Sequence, residues 1–143
     1  MKYDDGSFHI GSAPSEAHAL AHIALYFRWC LAAGLVSEEH TGDPEMAERL
    51  DSIIRGRSTA TEYLWENNSG KLADVDLTDR GDRFSKGYFA KQYLEDLRRV
   101  TGKSDYQFTE SEVDFSKLKN VLDERFGEWT RSLTRRPWWR FWA

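Results

Sequence analysis

The sequence predicts a mainly α fold, a compact bundle of about five helices, and three observations carry that prediction. Apolar residues recur at three- and four-residue spacing in five separate stretches, capping residues and glycines bracket those stretches, and no strand–helix–strand alternation runs through the chain. The expected departure from helix is a short extended segment or strand near residues 105–109, where Tyr106, Gln107, Phe108 and Thr109 alternate apolar and polar side chains.

Taken in order, Tyr3 to Gly11 mixes turn formers with aromatics and reads as an ordered N-terminal segment packed through Tyr3, Phe8 and Ile10. The first helix starts at Pro14-Ser15-Glu16, with Ser12 or Ser15 as cap, and runs to Gly34. Its apolar residues, from Ala17 through Leu31, occupy nearly every face, so it should lie at the centre of the bundle. Ser37 to Gly42 reads as a polar connection. Asp43-Pro44 then opens a second helix, whose Met46, Ala47, Leu50, Ile53 and Ile54 share a face. Ser58 or Thr59 caps a third helix through Tyr63, Leu64 and Trp65, stopped at Asn67-Asn68-Ser69-Gly70. After a linker, Lys71 to Leu77, Thr78-Asp79 opens a fourth helix with an aromatic-rich face from Phe84 to Val100, ended by Gly102. Gly81 and Gly87 lower its helix propensity and point to a kink or a close helix approach. The fifth begins near Val113-Asp114 and aligns Phe115, Leu118, Val121, Leu122, Phe126 and Trp129.

A chain of 143 residues, 40% hydrophobic and 31% charged, has the size and composition of one globular domain, placed at residues 1–130. Residues 131–143 form a different kind of segment, a basic, tryptophan-rich tail. It holds four of the 20 basic residues and none of the 24 acidic ones, so the formal charge of −4 divides into a body near −8 and a tail of +4. An acidic body disfavours nucleic acid, whose phosphates need clustered Lys and Arg, and favours a basic protein partner. The single cysteine, Cys30, lies in an apolar helical run and reads as a small buried hydrophobe. With no disulfide partner, no leader pattern and no apolar run approaching the roughly 20 residues of a membrane span, the expected compartment is the cytoplasm.

No phosphate-binding loop, dinucleotide fingerprint or nucleophile elbow is present, so no catalytic residue is assigned and no cofactor is expected. The acidic run from Asp74 to Asp79 lacks the glycine and distal glutamate of a calcium loop. His18 and His22 are four residues apart on one helix face, a spacing that metal sites use for two ligands. His9 is the candidate third ligand, with Asp5 or Glu16 able to approach. In the tail, Arg135, Arg136, Trp138, Trp139, Arg140, Phe141 and Trp142 are candidate contacts. Their rings either fold back on the core or meet a partner or, weakly, a membrane surface.

The segment Lys2-Tyr3-Asp4-Asp5-Gly6-Ser7-Phe8-His9, followed by Ala21-His22-Ile23, Phe27, Trp29 and Gly34-Leu35-Val36-Ser37-Glu38-Glu39, resembles a family of small uncharacterised bacterial proteins. That family opens with Tyr-Asp-Asp-x-Ser-aromatic-His and continues with a His-Ile helix leading to Gly-Leu; here Phe8 stands where Trp is usual. The similarity extends through Gly70-Lys71-Leu72, Asp76-Leu77 and Tyr88 to Leu94, as far as Phe126-Glu128-Trp129. Such families are found beside polymorphic or contact-dependent toxin genes, so the resemblance implies an immunity role. The expectation is a non-enzymatic protein-binding domain that neutralises a cognate toxin domain. Glu38, Glu39, Asp74, Asp76, Asp79 and Asp82 are its candidate contacts. The competing expectations are a metal-dependent enzyme using His9, His18 and His22, and a membrane-peripheral adaptor held by the tail.

Overall fold

The computed structural model describes residues 1–134 and is mainly α-helical. In chain order it contains β1 (Lys2–Asp5), α1 (Glu16–Ala32), α2 (Glu38–Thr41), α3 (Pro44–Ile54), α4 (Ala60–Asn68), β2 (Lys71–Ala73), α5 (Asp79–Tyr88), α6 (Leu94–Thr101) and α7 (Phe115–Thr134). All five expected helices are present; the fourth is divided into α5 and α6 by a π-helical turn, Phe89–Tyr93, and the polar connection after α1 adds the short α2. The expected tail contacts Arg135, Arg136, Trp138, Trp139, Arg140, Phe141 and Trp142 lie outside the described residues, whereas Arg131 to Thr134 continue α7.

α1 is the axis of the molecule. Leu20, Ile23, Ala24, Leu25, Tyr26, Phe27, Trp29 and Cys30 along it are buried on every side, as its all-round apolar sequence requires. Side-chain caps set the helix starts: Ser15 accepts from the His18 amide, Asp43 from Glu45 and Met46, Thr59 from Glu62, and Thr78 from Gly81. Glu110, distant in sequence, supplies a second cap to α4 by accepting from the amides of Ala60 and Thr61 with its buried carboxylate.

Several glycines sit where a side chain would crowd a neighbour, Gly81 and Gly70 among them. At Gly81 a Cβ would lie 3.0 Å from the Leu35 Cβ, so α5 starts closely packed against the segment that follows α1. Gly70 has a φ of +73°, and a Cβ on it would lie 2.4 Å from the Trp65 ring. The π turn follows Gly87. It adds a residue to one helical turn and rotates Tyr93 fully into the core, where its hydroxyl donates to the His22 carbonyl at 2.6 Å.

The strand content differs from expectation. Residues 105–109 form no strand, because Ser104 and Gln107 bond each other across a tight turn and Asp105 pairs with Arg98 at 2.9 Å. The sheet instead joins the N-terminal segment to the expected linker, β1 running antiparallel to β2 with Asp4 opposite Leu72 and Asp5 opposite Lys71. Tyr3 packs against Phe89, as expected, but Phe8 and Ile10 are exposed, since the chain leaves the sheet through the 3₁₀ turns Gly6–Phe8 and Ile10–Ser12 and carries both side chains outward.

Candidate functional site

The irregular register between Lys2 and Asp4 in β1 lies beside a polar site built on Asp4, His9 and His22. In a regular strand, Tyr3 and Asp4 would point to opposite faces; a bulge breaks that alternation. Both side chains then reach helices, the Tyr3 hydroxyl donating to Asp82 on α5 and the Asp4 carboxylate reaching His22 on α1. Asp4 spans two imidazoles, with Oδ2 2.7 Å from His22 Nε2 and Oδ1 2.8 Å from His9 Nε2. The two rings meet edge to face with centroids 4.8 Å apart. The other nitrogen of His9, Nδ1, is hydrogen-bonded to the Tyr106 hydroxyl. Tyr106 stands in the left-handed region at a φ of +66°, a conformation that non-glycine residues adopt sparingly.

Burial tends to raise the pKa of Asp4, but the hydrogen bonds from His22 and His9 outweigh it and hold the carboxyl below its ordinary 3.8. Asp4 is therefore an anion facing two nitrogen donors. The cluster is covered without being sealed: the His22 side chain is 7% exposed, Asp4 19% and His9 21%. His18 is not part of it. Its Nδ1 lies 2.6 Å from the Ser15 hydroxyl at the helix start, one turn away from His22. The acid in the site is Asp4, not Asp5 or Glu16; the Asp5 carboxylate is turned back onto Ser7 and Lys2.

The family described as Domain of unknown function (DUF7832) matches residues 2–111. The chain belongs to this family. No curated protein and no solved structure matches the chain. The DUF7832 match contains Asp4, His9, His22 and Tyr106, and it ends within the 3₁₀ turn Glu110–Glu112, so α7 packs on the family domain from outside the matched region.

The acidic candidates of the DUF7832 domain occupy unlike environments. Glu38 and Glu39 in the first turn of α2 and Asp79 at the start of α5 are exposed. Asp74 receives the N-terminal amine at 2.8 Å, and Asp82 is engaged by Tyr3 and by Lys86 at 3.0 Å. Asp76 departs from its expected role as a contact: only 5% exposed, its carboxylate accepts from His40 Nε2 at 2.7 Å, Asn68 Nδ2 at 2.9 Å and the Ala73 amide at 2.8 Å. The opposite nitrogen of His40 meets the Tyr63 hydroxyl at 2.6 Å. This buried Asp76–His40–Tyr63 chain joins the 3₁₀ turn Asp74–Asp76, α2 and α4 and is structural in its connections. Cys30 is fully buried and burial pushes its thiol pKa up, the opposite of what a nucleophile requires. Among the described residues no helix is long and apolar enough to cross a membrane.

Proposed function

We propose that this DUF7832 chain is a protein-binding domain of immunity type, acting in the cytoplasm and neutralising a basic toxin domain by direct contact. One observation carries the reading. An antiparallel bridge between Val36 and Leu77, reinforced by the Ser37 amide donating to the Asp76 carbonyl at 2.9 Å, brings together two acidic segments that lie about forty residues apart in sequence. α2 and α5 each start two residues after this bridge. The exposed Glu38, Glu39 and Asp79 therefore sit at neighbouring helix starts, next to Val75, an aliphatic side chain that is 62% exposed.

An exposed aliphatic residue beside carboxylates suits a basic partner: the charges speed encounter and the apolar side chain contributes contact area once the surfaces meet. The likeness of the N-terminal motif to small proteins found beside toxin genes supports the same reading. Asp76 serves it indirectly, by holding the bridged segments in place.

The test is co-purification with the toxin domain encoded by a neighbouring gene, followed by association kinetics at several salt concentrations. Replacing Glu38, Glu39 and Asp79 together by lysine is expected to slow association about 10-fold or more at low salt and to flatten its salt dependence, with the helical circular dichroism unchanged. Absence of a complex, or identical kinetics for the triple variant, would count against the assignment.

A further inference from the structure

We propose that Asp4, His9 and His22 form a binding site for one divalent transition-metal ion of the zinc class. The proposal is independent of the acidic surface and rests on the geometry of the cluster. One donor atom from each of the three residues lies within 4.8 Å of the others. Two imidazoles and one carboxylate form a nitrogen and oxygen set that suits zinc, cobalt, nickel or iron(II), whereas calcium and magnesium favour all-oxygen shells.

Each donor is carried by a separately anchored piece of backbone. Asp4 is fixed in β1 by pairing with β2, His22 projects from the buried axis α1, and His9 is held in the turn by its backbone N–H, which donates to the Gly6 carbonyl at 3.0 Å. Such anchoring reduces the entropy lost when an ion is bound. Both rings direct Nε2 at the same carboxylate, so the lone pairs converge once those nitrogens give up their protons.

His9 has the partner needed for that change. A metal-bound Nε2 requires the proton on Nδ1, and the Tyr106 oxygen beside Nδ1 can accept a hydrogen bond as readily as it can donate one. Metal ligands of this kind characteristically have such an outer partner, which fixes both tautomer and ring orientation. The left-handed backbone at Tyr106 is the local distortion that brings the hydroxyl to this position. Metal bonds of about 2.0–2.2 Å set neighbouring donors roughly 3.3 Å apart in a tetrahedral site, so the contacts to Asp4 open from 2.7 and 2.8 Å and the imidazole nitrogens, within 4.8 Å of each other, adjust to the same spacing. Three protein ligands leave a coordination position for water or an added ligand, reached through the exposed edges of His9 and Asp4.

The other histidines do not meet these conditions. The His18 ring is bonded to the hydroxyl of Ser15, the cap of α1, and His40 is enclosed by Asp76 and Tyr63 without a second imidazole.

The protein, purified without a histidine tag and stripped with a chelator, is to be titrated with Zn²⁺ by calorimetry and with Co²⁺ by visible absorption. Expected are one ion per chain, a Kd of about 10 μM or tighter, and a Co²⁺ spectrum of imidazole coordination. His9→Gln and Asp4→Asn should each weaken Zn²⁺ binding at least about 10-fold, while His18→Gln should change it less than about 2-fold. Zn²⁺ should raise the Tm of the wild type and leave that of His9→Gln unmoved. Failure of the wild type to bind one ion saturably, or equal weakening by His18→Gln and His9→Gln, would overturn the proposal. The wild-type stoichiometry and Co²⁺ spectrum decide the matter even if a variant folds poorly.

Discussion

Replacing Asp76 by alanine is expected to remove about 3–5 kcal/mol of stability, a large share of the roughly 5–15 kcal/mol available to a domain. The substitution leaves His40 Nε2, the Asn68 amide and the Ala73 backbone N–H without their shared acceptor at a position only 5% exposed. It also loosens the turn that carries Leu77 to its bridge with Val36, so the loss should spread to the placement of α2 and α5. Urea unfolding followed by circular dichroism would measure it. Asp79→Ala, an exposed change within the same acidic run, should alter stability by less than about 0.5 kcal/mol, and equal effects would refute the distinction between the two acids.

The same carboxyl predicts a pH dependence. Burial acts to raise its pKa, but bonds from His40, Asn68 and Ala73 prevail and depress it below 3.8 in the folded state. A depressed folded pKa means that the unfolded chain takes up the proton first. The stabilisation is therefore complete above the unfolded value and is lost as pH falls below it toward the folded value. Asp4 and Asp96 are shifted in the same direction by their own partners, so acid unfolding should set in below about pH 4. Asp76→Asn should show a shallower loss of stability over that range.

Trp29→Ala is expected to be of similar severity, costing about 3–5 kcal/mol and lowering the urea midpoint by roughly 2 M. The indole is fully buried, with ring centroids 5.7 Å from Tyr26, 5.6 Å from Phe84 and 5.7 Å from Phe126. Its Nε1 donates to Asp123 on α7 at 2.9 Å, so the residue fastens α7 to the axis. Truncation leaves a cavity where three elements meet, and close-packed aromatics around it relax only partly. Trp29→Phe keeps most of the ring volume and should lose far less. A midpoint for Trp29→Ala within experimental error of the wild type would contradict this view of how α7 is held. The Arg125 guanidinium on α7, bonded to the buried Asp96 of α6 at 3.0 and 3.1 Å, is a further fastening of the same helix.

The helical framework was legible in the chain because its signals are local. Ser15, Asp43, Thr59 and Thr78 sit where a side-chain oxygen can reach an amide two or three residues on, and the all-round apolar sequence of α1 has only one place to go in a bundle. The histidine pairing was legible in part. The i, i+4 spacing drew attention to His18 and His22, and of those only His22 joins His9. Asp4 could not be chosen over Asp5 from spacing, since the irregular register of β1 decides which of the two neighbours faces the histidines.

By itself, then, the sequence determined the order of the five principal helical stretches, the residues able to cap them and the central position of α1, which follow from patterns local to each stretch. Tertiary structure alone decided the pairing of β1 with β2, the burial of Asp76 against His40, the π turn that inserts Tyr93, and the meeting of Asp4, His9, His22 and Tyr106. Each of these joins groups far apart along the chain. Their partners are selected by the packing of whole elements, and no local pattern of residues encodes that choice.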